Sequence, residues 1–214
     1  MEALRHPNVV MFLGACTRNP QTLAIVLEYC SNGTLYSLLQ DRKKELTLSE
    51  KIDLAIGVAK GMYYLHSNPT PVLHRDLKSL NVLLDKNNTP KIADYGWTRL
   101  MAEKMTGKVG TFQWMAPEVI KCETYTEKAD VYSFGIVLWE IYTREPPFNS
   151  MTGVQVSVAV AENGLRPTIP SDCPKQLAQL MQICWDVNPN KRLAFSEILA
   201  ELKILKTKLC EPSS

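Results

Sequence analysis

The sequence predicts an α+β fold, with a short strand-rich beginning that leads into a mainly helical body. Three observations carry this. Two β-rich segments, 9–16 and 23–29, stand either side of a turn containing Asn19 and Pro20. A capping box, Thr47 with Glu50, opens a long amphipathic run that ends at His66. A third run, containing Ile136, Val137, Leu138 and Trp139, is apolar nearly all round, the pattern of a helix buried on every side.

The remaining elements follow in chain order. Residues 31–33 read as a turn and 34–40 as a short helix. In the long helix, Ile52, Ala55, Ile56, Ala59 and Tyr63 share one face, and prolines within 67–71 stop it. Two short β-prone pieces, 81–84 and 91–94, come next. The central buried helix is expected over 126–143, and later helices over 152–162, 174–186 and 195–209, with 211–214 as a loose tail. No internal repeat or low-complexity segment interrupts the chain.

Composition fits a single domain. The 214 residues are 45% hydrophobic and 21% charged, and the net charge of +2 is too small to call for nucleic acid or an anionic membrane as partner. Cys16, Cys30, Cys122, Cys173, Cys184 and Cys210 show no CxxC spacing, so neither a zinc site nor a disulfide framework is expected. They read as reduced thiols, and the expected location is cytoplasmic. The longest apolar run, 134–142, contains Glu140 and is far short of a bilayer span.

The chemistry concentrates in HRDLKSLN at 74–81. Asp76 can accept a hydroxyl proton, Lys78 can neutralise charge on a migrating phosphoryl group, and Asn81 can offer a metal its amide oxygen. Their structural alternatives are a turn cap for Asp76 and an Asx turn for Asp94, which opens DYG at 94–96. APE follows at 116–118, inside GTFQWMAPE, and DVYSFG at 130–135 opens the central helix.

Together these motifs resemble the protein kinase family, in particular the tyrosine-kinase-like group with its Raf-like and mixed-lineage serine/threonine kinases. The resemblance implies a protein-kinase-like fold, with ATP and Mg2+ as cofactors and serine or threonine hydroxyls of a protein as substrate. An upstream activating kinase is expected as a further partner. Asp76, Lys78, Asn81 and Thr111 are then the catalytic set, and Asn81 and Asp94 hold the metal. Leu27 corresponds to the gatekeeper, Glu28 and Cys30 to the adenine-binding hinge, Thr34 to the ribose contact and Leu83 to the cleft floor. His74 packs in the core with Met1, Phe12 and Tyr95, anchored from below by Asp130. Glu118 pairs with Arg192, and Leu193 stands where many relatives have proline. Arg75 is placed to clamp a phosphate on the activation segment, with Thr106 as the expected phosphosite. No role is expected for His66 or His6.

The same resemblance implies a partial domain over 1–210. Residues 1–30 correspond to a small-lobe remnant with the hinge and 31–210 to the large lobe. The 214 residues contain no GxGxxG and no VAIK-like strand lysine, and Glu2 is a solvated helix-end charge more readily than a substitute for the glutamate that pairs that lysine. The alternative function is a noncatalytic, pseudokinase-like interaction module.

Overall fold

The computed structural model describes residues 4–18, 24–95 and 112–210. Met1, Glu2, Gly96, Thr106, Thr111 and the 211–214 tail, all singled out by the sequence, lie outside the described residues. Two antiparallel ribbons form the β part. Strand β1 (Phe12–Cys16) pairs with β2 (Ala24–Leu27), and β3 (Val82–Leu84) pairs with β4 (Pro90–Ile92). The chain ahead of β1 lies along β4. Val10 N donates to Ile92 O at 2.9 Å, and Ile92 N donates to Asn8 O at 2.9 Å.

Helix α1 (Leu35–Gln40) and helix α2 (Leu48–His66) start as their capping residues dictate. Thr47 N donates to Glu50 Oε2 at 2.8 Å, and Glu50 N donates to Thr47 Oγ1 at 3.2 Å, so each side chain satisfies the other residue's amide at the start of α2. Ile52, Ala55, Ile56 and Ala59 are buried as expected, but Tyr63 is not. It is 44% exposed, and the buried surface of α2 runs instead through Leu54, Val58, Met62 and Leu65. The reason is that α2 packs on three sides, against β4 and two later helices, which widens its apolar face and leaves Tyr63 on the rim. Gly61 permits the closest of these approaches, because a Cβ there would collide with Asn8 O.

After the short helix α3 (Pro117–Ile120), helix α4 (Lys128–Thr143) runs through the middle of the molecule with every residue from Ala129 to Ile141 buried. It begins two residues later than Thr126, whose Oγ1 accepts a hydrogen bond from Lys128 N at 3.3 Å. Its C-cap, Arg144, sits in the left-handed region at φ 61° and turns its guanidinium onto the end of α1. There it donates to Leu39 O at 3.1 Å, Leu38 O at 3.3 Å and Asp41 O at 2.6 Å, carbonyls that the short helix cannot satisfy itself. Helices α5 (Gly153–Asn163), α6 (Lys175–Cys184) and α7 (Phe195–Cys210) complete the body. Among the described residues no helix is long and apolar enough to cross a membrane.

The expected Glu118–Arg192 pair is present and buried. Arg192 Nη1 lies 2.6 Å from Glu118 Oε1 and Nη2 lies 2.9 Å from Oε2, a bidentate pair that ties α3 to the turn before α7. Removing one partner strands the other charge in the interior. Glu118→Ala or Arg192→Ala should therefore each lower the urea-unfolding free energy by about 3–5 kcal/mol. The double variant should lose much less than the sum of the two; additive losses would show that the pair does not act as a unit.

Candidate active site

The loop between α2 and β3 takes its shape from a carboxylate far away in sequence. Asp130, in the first turn of α4 and 2% exposed, accepts from His74 N at 2.8 Å on Oδ2 and from Arg75 N at 2.8 Å on Oδ1. The imidazole of His66, at the end of α2, places Nε2 2.8 Å from the same Oδ2. His66 therefore has a role that the sequence reading did not give it: it is a third partner for the anchoring carboxylate. No local signal marks it, because the pair spans the full length of the loop and the elements beyond. The reward of this anchoring is that Arg75 is held at φ 68°, a left-handed conformation costly for a residue with a Cβ.

His74 is fully buried, with Nε2 2.8 Å from Ala93 O and Nδ1 accepting from Asp76 N at 3.3 Å. Both ring nitrogens are engaged, which supports packing and excludes a free general base. Its neighbour Asp76 faces the cleft. Lys78 Nζ sits 2.8 Å from Asp76 Oδ2, and Asn81 Nδ2 donates to Asp76 O at 2.8 Å and to Oδ2 at 3.0 Å. The carboxylate is thus fixed from two sides yet remains part-exposed, with side-chain exposure of 18%.

Asn81 connects this cluster to Asp94. Ala93 N donates to Asn81 O at 2.9 Å, so the strand that ends before Asp94 is stitched to the turn that carries Asn81. Asp94 itself is exposed at φ 58°. Both bonds of the Asn81 amide nitrogen go to Asp76, and no described residue donates to its Oδ1. Asn81 Oδ1 and the Asp94 carboxylate are hard oxygen donors, the set that suits Mg2+ held by one or two protein groups and completed by phosphates and water. No cluster of three His, Cys, Asp or Glu side chains competes for a metal among the described residues. Tyr95 keeps its proton, since burial and then Glu28 push its phenol up, and it donates to Val10 O at 2.6 Å.

The nucleotide-side candidates are spread along one edge of the molecule. Leu27 ends β2 and is 41% exposed. Glu28 uses its amide on Met11 O at 2.9 Å and its Oε2 on Lys91 Nζ at 3.0 Å, so the side chain turns inward and only its carbonyl remains for a ligand. The backbone of Cys30 bonds to no described residue, as a hinge contact requires. Thr34 Oγ1 caps α1 by accepting from Ser37 N at 3.0 Å, which makes capping its first role. Leu83 bridges Thr34 and points away from the buried Val82 and Leu84, toward the cleft. The sequence also missed Ser79 and Glu140, which are hydrogen-bonded to each other in the interior at 2.8 Å.

Comparison with known proteins agrees with this arrangement. The family model described as protein tyrosine and serine/threonine kinase matches residues 1–202. The serine/threonine-protein kinase STY46 of Arabidopsis thaliana is 45% identical over 95% of this chain. The serine/threonine/tyrosine-protein kinase HT1 of the same plant is 45% identical over 95%. The dual specificity protein kinase shkA of Dictyostelium discoideum is 42% identical over 99%. The chain spans 35%, 52% and 41% of these three proteins' own lengths.

The anchor has a pH signature. Burial pushes the Asp130 carboxyl up, but the His66 hydrogen bond, the His66 and His74 imidazoles and the Arg75 amide together hold it below the ordinary carboxylate value. A depressed folded value means that the unfolded chain binds the proton more readily. The stability from Asp130 is therefore present above its unfolded value of about 4 and lost as pH falls through the folded one. Urea unfolding should show the midpoint falling on acidification below about pH 4. Asp130→Asn should flatten that dependence while lowering the midpoint at neutral pH; an unchanged acid slope in the variant would contradict the assignment.

Proposed function

The chain belongs to the family of protein tyrosine and serine/threonine kinases, and from that premise we propose that it supplies the catalytic loop and metal ligands of a protein serine/threonine kinase. The reaction is transfer of the ATP γ-phosphoryl group to a protein hydroxyl. The observation that carries this is the Asp76 cluster: a part-exposed carboxylate with Lys78 Nζ at 2.8 Å and Asn81 Nδ2 at 3.0 Å. A carboxylate held in this way orients a substrate hydroxyl and accepts its proton as the O–P bond forms. Lys78 stands where charge develops on the transferred phosphoryl oxygens. Asn81 Oδ1 and Asp94 would hold Mg2+, whose charge screens the phosphates.

The serine/threonine assignment rests on Lys78, on Thr111 in the segment before Ala116–Glu118, and on the names of relatives such as STY46. Two of those relatives are named for tyrosine or dual specificity, so the same site in this chain is also proposed to be open to tyrosine. Residues 1–30 act as the small-lobe strands and hinge and 31–210 as the large lobe. The cleft edge at Leu27, Cys30, Thr34 and Leu83 receives the nucleotide, and a noncatalytic module is the competing reading.

Two measurements separate these. Joined to a small lobe that supplies a glycine-rich loop and a strand lysine, the chain should transfer radiolabelled phosphate from ATP to a generic protein substrate. The 214 residues alone should transfer none, since they lack the phosphate clamp. In the joined protein, Asp76→Asn should cut kcat by about 10²–10⁴-fold. Asp94→Asn should cut turnover similarly and raise the Mg2+ requirement, with both melting temperatures within a few degrees of the parent. Robust transfer by the unextended chain, or near-normal turnover in either variant, would overturn the roles assigned.

A further inference from the structure

Helix α4 carries a second carboxyl that the reading above does not use. Glu140 lies nearly three turns beyond Asp130 and is only 2% exposed, and no cation pairs with it among the described residues. Such a group is an expensive choice for a helix interior, where leucine or methionine would fill the space without desolvating a carboxyl. Its two oxygens go to two different loops. Oε1 is 2.8 Å from the hydroxyl of Ser79, in the 3-10 turn Ser79–Asn81 between Lys78 and the metal-ligand candidate Asn81. Oε2 accepts from the indole Nε1 of Trp114 at 2.7 Å, in the 3-10 turn Phe112–Trp114 that precedes Ala116–Glu118. The main chain of Trp114 is held from the same helix, since Ser133 Oγ donates to Trp114 O at 2.7 Å.

We propose that Glu140 is a positioning residue that locks the turn carrying the metal-ligand candidate Asn81 to the turn carrying Trp114 ahead of Ala116–Glu118, so that the two keep a fixed relation during phosphoryl transfer. This rests on the kinase reading of the Asp76 cluster. Each turn alone could be held by its own backbone; what the shared carboxyl adds is that neither can shift without the other. The direct supports are geometric: one side chain, two buried partners, one from each turn. Burial pushes the Glu140 carboxyl up to about 8, against the opposing pull of the Trp114 and Ser79 hydrogen bonds, so around neutrality it is a carboxylic acid.

That chemistry fixes the test. An indole N–H only donates, so Oε2 must accept, whereas a serine hydroxyl both donates and accepts and so suits a protonated Oε1. Glutamine reproduces the pattern with its carbonyl on Trp114 and its amide on Ser79; leucine reproduces neither contact. In the chain joined to a small lobe, Glu140→Leu should lower kcat by about tenfold to a hundredfold, as a misplaced site does, with KM for ATP within about twofold of the parent. Glu140→Gln should restore kcat to near the parent value. A kcat unchanged in Glu140→Leu, or one equally low in Glu140→Gln, would overturn the proposal.

Amide hydrogen exchange on the 214-residue chain gives a readout independent of activity. Glu140→Leu should raise exchange at 79–82 and 112–115 together while α2 and α7 keep their protection, and Glu140→Gln should restore it. Should Glu140→Leu fail to fold, Ser79→Ala takes its place. Loosening of 79–82 alone, with 112–115 as protected as in the parent, would refute the coupling, and loosening of both turns would uphold it. If the joined parent protein transfers no phosphate, the kinase reading falls and exchange alone decides whether Glu140 couples the turns.

Discussion

The catalytic loop depends on the buried carboxylate of Asp130. Left to itself, a segment such as 74–76 would not hold Arg75 at φ 68°, since a left-handed residue with a side chain costs about 1–2 kcal/mol. Two amide bonds to Asp130, each to an ionised acceptor in the interior, are enough to hold that conformation. The consequence reaches the chemistry directly. With the backbone turned at Arg75, His74 points into the core against Ala93 O while Asp76 points out into the cleft. His66 makes the arrangement more secure by bringing a third donor, and so ties the end of α2 to the start of α4 at the one point where the loop would otherwise swing.

Asp130 is also one of the polar side chains on α4 that reach beyond the helix to hold loops. Asp130, Ser133 and Glu140 fall within about 80° of one another around the axis at 100° per residue. The rest of its buried span is mostly apolar and packs against α2, α6 and the elements around them. An apolar rod with one polar stripe is a way to hold irregular backbone in a dry interior, because loops there need partners for their polar groups and cannot obtain them from water. The stripe reaches the loop at 74–75 through Asp130, the Trp114 carbonyl through Ser133, and Ser79 with the Trp114 indole through Glu140. Regular structure in this chain therefore matters mostly for where it puts its few irregular stretches.

That division explains what could be read from the sequence. The capping box at Thr47, the burial of α4 and the order of the helices were legible because they depend on residues three or four apart or on simple periodicity. The Asp76, Lys78 and Asn81 cluster was legible because one short loop contains all of it. Glu118 with Arg192 and Asp130 with the loop were reached only through family resemblance, as no local pattern links them. The contacts of His66, Ser79, Glu140 and Arg144 were not reached at all. Each joins residues at least 26 apart, and nothing in a single sequence distinguishes a buried glutamate that bonds two loops from one that merely interrupts an apolar run. Tyr63 failed for a different reason: a helix packed on three sides does not obey the single stripe that periodicity assumes.

The aromatic residue after Asp94 shows how a small departure from a family pattern acquires a physical meaning. Tyr95 stands where the family usually has phenylalanine, and its ring is half-buried against the core in the way either residue would be. The added hydroxyl donates to Val10 O at 2.6 Å, and Val10 in turn donates its own amide to Ile92 O, two residues before Asp94. The chain around Asp94 is thus held on both sides by one residue of the segment ahead of β1. Ala93 adds a third tie through Asn81 O. An exposed carboxylate cannot be fixed by burial of its own side chain, so its position has to come from its neighbours. Here those neighbours are Ala93 on the side of the catalytic turn and Tyr95 on the side of the strands, and Asp94 is held between them at φ 58° with its carboxylate facing outward.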